Sequence, residues 1–498
     1  MWRRTKTPVG LLCALALLLV SLEARGDEPA GPAPTPPQKE VDPAIFEGAV
    51  KAYHARNFPA AAAGFWRYIR AGTIAVDKYE SAQFLLAESL SHLGLWHAAA
   101  NYYYQVAKTR SQPEIFPLSL ARLEAMSRYM PFDEALIYKD LLYDSEFGSL
   151  PPVLFDWVNY VQGLFDYRNG YLDWAERHFD AIHASSAYAM RAQYVRAVYA
   201  IKNSRDDTGL KLLDQIVASA ASDPQTKNDA LLAQARLHFD RGQYQEAWDT
   251  YGQVKQIDFS YEQAQLMLEK AWTAFRLHDH RRAMGLLHAL YAPSYAKFLL
   301  PDAFILRGLI LKDLCHFLDV KGVVRNFRVA QGPAIVALHR RTPTDKIPLL
   351  VEGVREQGPL GAIAQVIASL QSERKLIQSY ASVWEDVALD KNLRRLYDLE
   401  LREQQRLWDD SFAKAADSVA ETLLETEEQM SLLDYEAGLD IFRRVKSNRA
   451  TQTVQEPLTV PYDSAKAYYE FDTEFWNDEL HSYSYFVNNR CLETDIEP

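Results

Sequence analysis

One recurring pattern constrains what this chain can fold into. An aromatic residue or Leu is followed, after two intervening residues, by Ala and, after three more intervening residues, by a second aromatic or Leu. It occurs as Phe58-Ala61-Phe65, Trp96-Ala99-Tyr103, Leu172-Ala175-Phe179 and Tyr244-Ala247-Tyr251, and with His in first place as His280-Ala283-Leu287. Weaker copies centre on Ala135, Gly209 and Val320, so successive centres stand 34 to 40 residues apart. Self-similarity at such a period is the mark of a repeat array. Positions four apart share a helix face, and a small central residue lets a second helix approach. Gly94, Gly170 and Gly242 stand two residues before their pattern, in a turn where a left-handed residue costs least. Upstream, a second small residue recurs at Ala87, Gly163, Ala235, Ala271 and Gly308, and is expected to face the second helix of its own pair. Each unit is then two antiparallel helices that cannot bury their faces alone, so units stack.

These residues resemble the tetratricopeptide repeat family. The copies that carry the resemblance are Ala87-Leu90-Gly94-Trp96-Ala99-Tyr103, Gly163-Gly170-Leu172-Ala175-Phe179 and Ala235-Gly242-Tyr244-Ala247-Tyr251. It extends over about 44–330, in about eight helix pairs, with units longer than the usual 34 residues and mostly without the closing Pro. The resemblance implies an all-α helical solenoid that binds peptides or proteins on its concave face and has no catalysis of its own. Expected packing residues are Ala61, Gly94, Trp96, Ala99, Gly170, Ala175, Gly242, Tyr244, Ala247 and Ala283. Candidates for partner contact on the first helix of each pair are Tyr53, Gln83, Tyr160, Tyr194, Arg236 and Lys270.

Residues 1–26 read as a secretory signal peptide. Arg3, Arg4 and Lys6 precede an apolar run from Leu11 to Val20, and Ala24-Arg25-Gly26 places cleavage before Asp27. The run is about half the roughly 20 residues a membrane-spanning helix needs. Its removal takes away four basic residues and one acidic, deepening the net charge from −12 to −15. Such a balance argues against nucleic acid as the main partner and against anionic lipid. No other stretch is apolar enough to span a membrane. The expected location is the bacterial periplasm. Six Pro within 27–43 make a tether of extended polyproline geometry.

Residues 341–456 form a long helical region. From Ala362 to Ala437 there is neither Gly nor Pro. A bend is expected between Ala388 and Asn392, where Asp390, Lys391 and Asn392 are polar. Apolar stripes on either side, Ile363 to Val387 and Trp408 to Ala437, suit an antiparallel coiled-coil hairpin, with further irregular helical repeats as the other reading. The 457–498 segment is rich in aromatics, and alternation at 482–487 suggests a strand. Its run Tyr469-Glu470-Phe471-x-x-Glu474-Phe475-Trp476-x-Asp478-Glu479-Leu480-x-x-Tyr483 resembles a C-terminal segment of envelope repeat proteins from gliding and predatory bacteria.

Chemistry is not written in the sequence. H-E-x-x-H, C-x-x-C, G-x-S-x-G and G-x-x-x-x-G-K do not occur. His278-Asp279-His280 and the pair His92 and His97 fall at inter-helix turns, where polar residues are expected. Glu425, Glu427 and Glu428 fit a solvated helix face. No cofactor and no metal are therefore expected. The reading is a non-catalytic protein-binding scaffold or adaptor of the cell envelope with envelope proteins as partners. The alternative is a component of an envelope motility or outer-membrane assembly complex. More distant is a peptidoglycan-acting enzyme, which would need a Gly-rich substrate cleft and a buried acid. Cys315 and Cys491 are the only cysteines left after cleavage. Export places them where thiols oxidise, so a disulfide folding the tail over the last repeat is expected, with two separate thiols as its rival.

Overall fold

The computed structural model describes residues 41–73, 76–109, 112–129, 150–255, 259–355, 357–446 and 474–492. The signal peptide, nearly all of the tether, the copy centred on Ala135 and residues 447–473 lie outside them. The described residues are mostly helical, with no strand. Two compact units form: Met1–Ala192 with Gln365–Leu407, and Gln193–Ala364 with Trp408–Pro498. Compactness thus groups the chain differently from the consecutive segments of the sequence, because the helices after 341 are divided between the units.

The first unit contains α1 (Pro43–His54), α2 (Phe58–Ala71), α3 (Tyr79–His92), α4 (Trp96–Thr109), α5 (Phe116–Tyr129), α6 (Pro152–Arg168) and α7 (Leu172–Ala181). Residues 187–192 of α8 (Ala187–Lys202) also belong to it. The rest of α8 opens the second unit. There follow α9 (Asp206–Ala218), α10 (Pro224–Asp240), α11 (Tyr244–Tyr251), α12 (Tyr261–Arg276), α13 (His280–Ala289), α14 (Asp302–Asp313), α15 (Phe317–His339) and α16 (Pro348–Val354). Most described helices pack against the one before and the one after them in sequence.

The turns repeat to the residue. Arg56, Gly94, Gly170, Ser204, Gly242, His278 and Cys315 all have positive φ, between 57° and 83°. In each turn the next N–H donates to a carbonyl five residues back: Asn57 to Ala52, Leu95 to Leu90, Tyr171 to Asp166, Arg205 to Ala200, Gln243 to His238, Asp279 to Ala274 and His316 to Leu311. This is a Schellman closure, and it recurs at the spacing of the sequence pattern. Gly holds only three of the seven positions. The others tolerate a strain of about 1–2 kcal/mol because the hydrogen bonds and the helix crossing fix the backbone.

The pattern alanines sit at those crossings. Ala61, Ala99, Ala175, Ala247 and Ala283 are fully buried. A Cβ on Gly163 would stand 2.5 Å from the Phe179 ring, so this small residue does face its partner helix. Gly308 differs, since the nearest atom to its absent Cβ belongs to Leu433, at 3.2 Å. Tyr244 is half-buried, edge-on to Phe239. Trp96, expected to pack, is 46% exposed: it is the first residue of its helix, and only the alanine and tyrosine after it reach the crossing.

After α16 come α17 (Gly358–Leu376), α18 (Ala381–Trp384) and the 58-residue α19 (Leu389–Lys446). The chain reverses through 377–388 and leaves the turn with Ala388 at φ 56°. The polar residues 390–392 lie in the first turn of α19 rather than in the bend. Within the first unit the two helices of this hairpin run antiparallel. Arg394 bonds Gln378 at 2.6 Å, and Arg374 bonds Asp398 at 2.7 Å. The hairpin does not stand free. Trp384 is fully buried and donates to the Pro59 carbonyl at 2.9 Å, while Trp66 Nε1 and Arg70 both donate to the Val387 carbonyl.

In the second unit the later part of α19 lies along α15. Lys321 and Arg328 bond Asp434, His339 meets Glu427, and Lys312 pairs with Glu436. Leu423, Met430, Leu433 and Ala437 enter one core with Leu306, Ile310, Val320 and Phe327. The apolar stripe read as a coiled-coil seam is therefore spent on the helix pairs. In the tail, the alternating residues 483–487 form no strand. They run along α13, which offers a single backbone carbonyl (Arg281) where a strand needs a ladder.

Candidate partner-binding surface

The first helices of successive pairs carry rows of ionic and aromatic side chains. In the first unit, Arg122 of α5 holds Glu88 of α3 through two nitrogens, at 2.6 and 2.9 Å. Tyr103 donates to the same carboxylate, and burial together with Glu88 pushes its phenol far up. Tyr53 is half-buried beside Phe58 and His92, with its phenol raised by burial first and by Glu88 second. Gln83 is almost wholly buried and its Oε1 has no partner among the described residues, so it is not available to a partner. Tyr160 is wedged between Phe179 and Tyr188, at 6.5 and 5.6 Å. Tyr188 and Arg128 converge on the buried Glu124.

The second unit has a corresponding row. Arg236 of α10 grips Glu269 of α12 with two bonds, 3.0 and 2.9 Å, and Tyr251 donates to the same carboxylate at 3.1 Å. Tyr194 of α8 and Asp229 of α10 flank Arg236. Burial raises Tyr194 to about 12, with Asp229 next among the causes and Arg236 opposing. Burial also raises Asp229. Tyr261 is pushed up to about 12, and Asp302, at the start of α14, is raised by burial and then by Glu425. Arg236 and Asp302 are nonetheless exposed. Burial opposes the charge of Arg236, but Glu269 and the Tyr251 and Tyr194 phenols raise its guanidinium on balance.

Lys270 does not join this row. It lies 5.5 Å from the Trp248 ring, as does Arg282, both directed at a second helix. Burial lowers its ammonium. The residue one position away, Glu269, faces Arg236, because consecutive helical residues point about 100° apart.

Sequence reasoning singled out Tyr194 and Arg236 but missed Glu88, Arg122 and Glu269. A signal for them existed. Glu88 and Arg122, Arg236 and Glu269, and Asp207 and Arg241 are opposite charges one repeat apart, and each pair is bonded. A search for complementary charges at the repeat spacing would have found them.

The other polar clusters have structural partners. His97 and the Tyr397 hydroxyl both bond Glu373 at 2.7 Å, and the His97 N–H donates to it at 3.0 Å, all three residues being buried. This carboxylate ties the hairpin to α4. His278 occupies a left-handed turn position, and His280 approaches Asp313 at 4.0 Å. Among the described residues no three His, Cys, Asp or Glu side chains are arranged to hold a metal ion. No described helix is long and apolar enough to cross a membrane. Cys315 and Cys491 are joined by a disulfide with a Cα separation of 5.1 Å, within the range such a bond spans without backbone movement.

No protein-family model matches the chain, and no curated protein is significantly similar to it.

Proposed function

We propose that this protein is a non-catalytic scaffold or adaptor of the bacterial cell envelope. It is exported to the periplasm and binds protein partners through a tetratricopeptide-like superhelix. The observation that carries the reading is the row Tyr194, Asp229, Arg236 and Glu269. Arg236 is exposed yet held across the repeat by two bonds to Glu269, so its guanidinium has little rotamer freedom left to lose on association. Aromatic and arginine side chains held this way are the usual anchors of protein interfaces. The partner surface is polar, with groups that match both an exposed guanidinium and neighbouring carboxylates.

Paired variants test this. Full-length Arg236→Glu and Tyr194→Ala are compared with wild type and with Arg443→Glu, a change on the exposed end of α19. After crosslinking in intact envelopes, the first two lose at least tenfold of captured partner, and Arg443→Glu captures normally. Equal capture by all four proteins would remove the row from the binding surface.

A further inference from the structure

The tail 474–492 lies across the second unit, with Leu480 buried in its core, Phe475, Tyr483 and Val487 packed beside it, and its backbone hydrogen-bonded to the helix pairs. The Tyr485 N–H donates to the Arg281 carbonyl at 3.1 Å and the Arg490 N–H to the Leu314 carbonyl at 3.0 Å. The Asn488 carbonyl meets His316 Nε2 at 2.7 Å. The receiving surface is shaped for a main chain. A Cβ on Gly285 would stand 1.9 Å from the Tyr483 carbonyl oxygen, so only glycine leaves room for the crossing. Side chains add register. The His288 ring faces Phe475 and Tyr485 at 5.4 and 5.6 Å, and the Arg281 guanidinium lies 4.8 Å from the Phe486 ring centre.

One covalent bond fastens this segment. Cys315 stands at a turn position that Arg56, Ser204 and His278 fill elsewhere, so the backbone does not require cysteine there. What distinguishes Cys315 is the bond of its Sγ to Cys491.

We propose that the groove formed by α13, α14 and the turn at Cys315 is a docking site for the 474–492 segment of a second copy of this chain. The disulfide selects between the two sources of that segment. Closed, it holds the chain's own tail in place. Open, it leaves the groove to exchange. Every contact described above joins the helix pairs to a segment that an identical chain carries unchanged, so exchange creates no new type of contact. The segment is connected to α19 through 27 residues, a length that spans up to about 90 Å when extended. The tethered tail has the advantage of high effective concentration, and the disulfide makes that advantage permanent.

The chemistry balances. A dithiol reductant supplies two electrons and two protons, the sulfur–sulfur bond breaks, and two thiols form as the reductant becomes a disulfide. In the reverse direction, oxidised glutathione accepts two electrons and two protons from the two cysteines and leaves as two reduced molecules.

Two full-length chains, both carrying Cys13→Ser, test the exchange. One has Cys315→Ser and donates only its tail cysteine. The other has Cys491→Ser and donates only its groove cysteine. They are mixed with oxidised glutathione and followed on non-reducing gels with peptide mapping. The expected product is a one-to-one covalent pair joined through Cys315 of one chain and Cys491 of the other, formed at least tenfold faster than the homodimers of either chain alone. Gly285→Leu in the groove-donating chain slows it at least fivefold, whereas the same change in the tail-donating chain, which releases that chain's tail from its own groove, does not slow it. Phe486→Ala gives the opposite asymmetry, which decides the matter should Gly285→Leu not fold. Pairing no faster than the homodimers, or pairing indifferent to which chain carries Phe486→Ala, overturns the proposal.

Discussion

Trp384→Ala tests whether the hairpin is built into the first unit rather than resting beside it. The indole has no solvent exposure, packs 5.0 Å from Tyr380 and donates to the Pro59 carbonyl at 2.9 Å. A tryptophan of 150–250 Å² buried at about 25 cal/mol per Å² contributes about 4–6 kcal/mol. Partial collapse of the cavity brings the expected loss to about 3–5 kcal/mol. Trp384→Phe keeps most of the packing and loses the hydrogen bond. Pro59 lies in the first turn of α2, where its carbonyl also faces a helical N–H, so that variant costs about 1 kcal/mol. For a unit of this size each kcal/mol moves the melting temperature by about 2–4 °C. The alanine variant therefore melts about 6–20 °C lower and the phenylalanine variant about 2–4 °C lower by circular dichroism. Amide exchange followed by mass spectrometry adds location: protection falls together in 58–71 and in 377–397. A melting temperature within about 2 °C of wild type for Trp384→Ala, with protection of α2 unchanged, would refute the reasoning.

The remaining predictions concern other parts of the chain. Leu at Ala99, Ala175, Ala247 or Ala283 overpacks a helix crossing and lowers stability by about 1–3 kcal/mol in single-variant melts; four unchanged melts would mean that the alanines are not at contact surfaces. Burial holds His178, His280 and His288 below the ordinary histidine value, with Asp166 and Asp313 opposing at the first two and Arg307 adding at the third. The unfolded chain therefore takes up protons first as pH falls below about 6.5. Stability present at pH 7.5 is lost toward pH 5.5, and replacing the three by Gln flattens the dependence of melting temperature on pH. N-terminal sequencing of exported protein gives Asp27, and a start at Met1 would reject the signal-peptide reading.

The repeat pattern determined the helix pairs, their antiparallel turns and the buried alanines, because these rest on local periodicity and on the volume available at a crossing. It located three of the left-handed positions, at Gly94, Gly170 and Gly242, while Arg56, Ser204, His278 and Cys315 do the same work without a glycine to mark them. The ionic row was half legible. Tyr194 and Arg236 could be picked as accessible positions of first helices, but their partners depend on which residues one repeat apart meet. Lys270 and Gln83 show the limit: a single helical step turns one toward Trp248, and close packing closes over the other. The stripes after 362 announced an amphipathic helix without saying what would cover it. Only the tertiary structure gave Leu433 to the Gly308 surface, Trp384 to Pro59 and Glu373 to His97. The physical reason is that an apolar face specifies burial, while the surface that buries it is chosen by contacts hundreds of residues away. The cysteine count made a Cys315–Cys491 bond conceivable, and the fold of the tail across Gly285 brought the two residues within bonding distance.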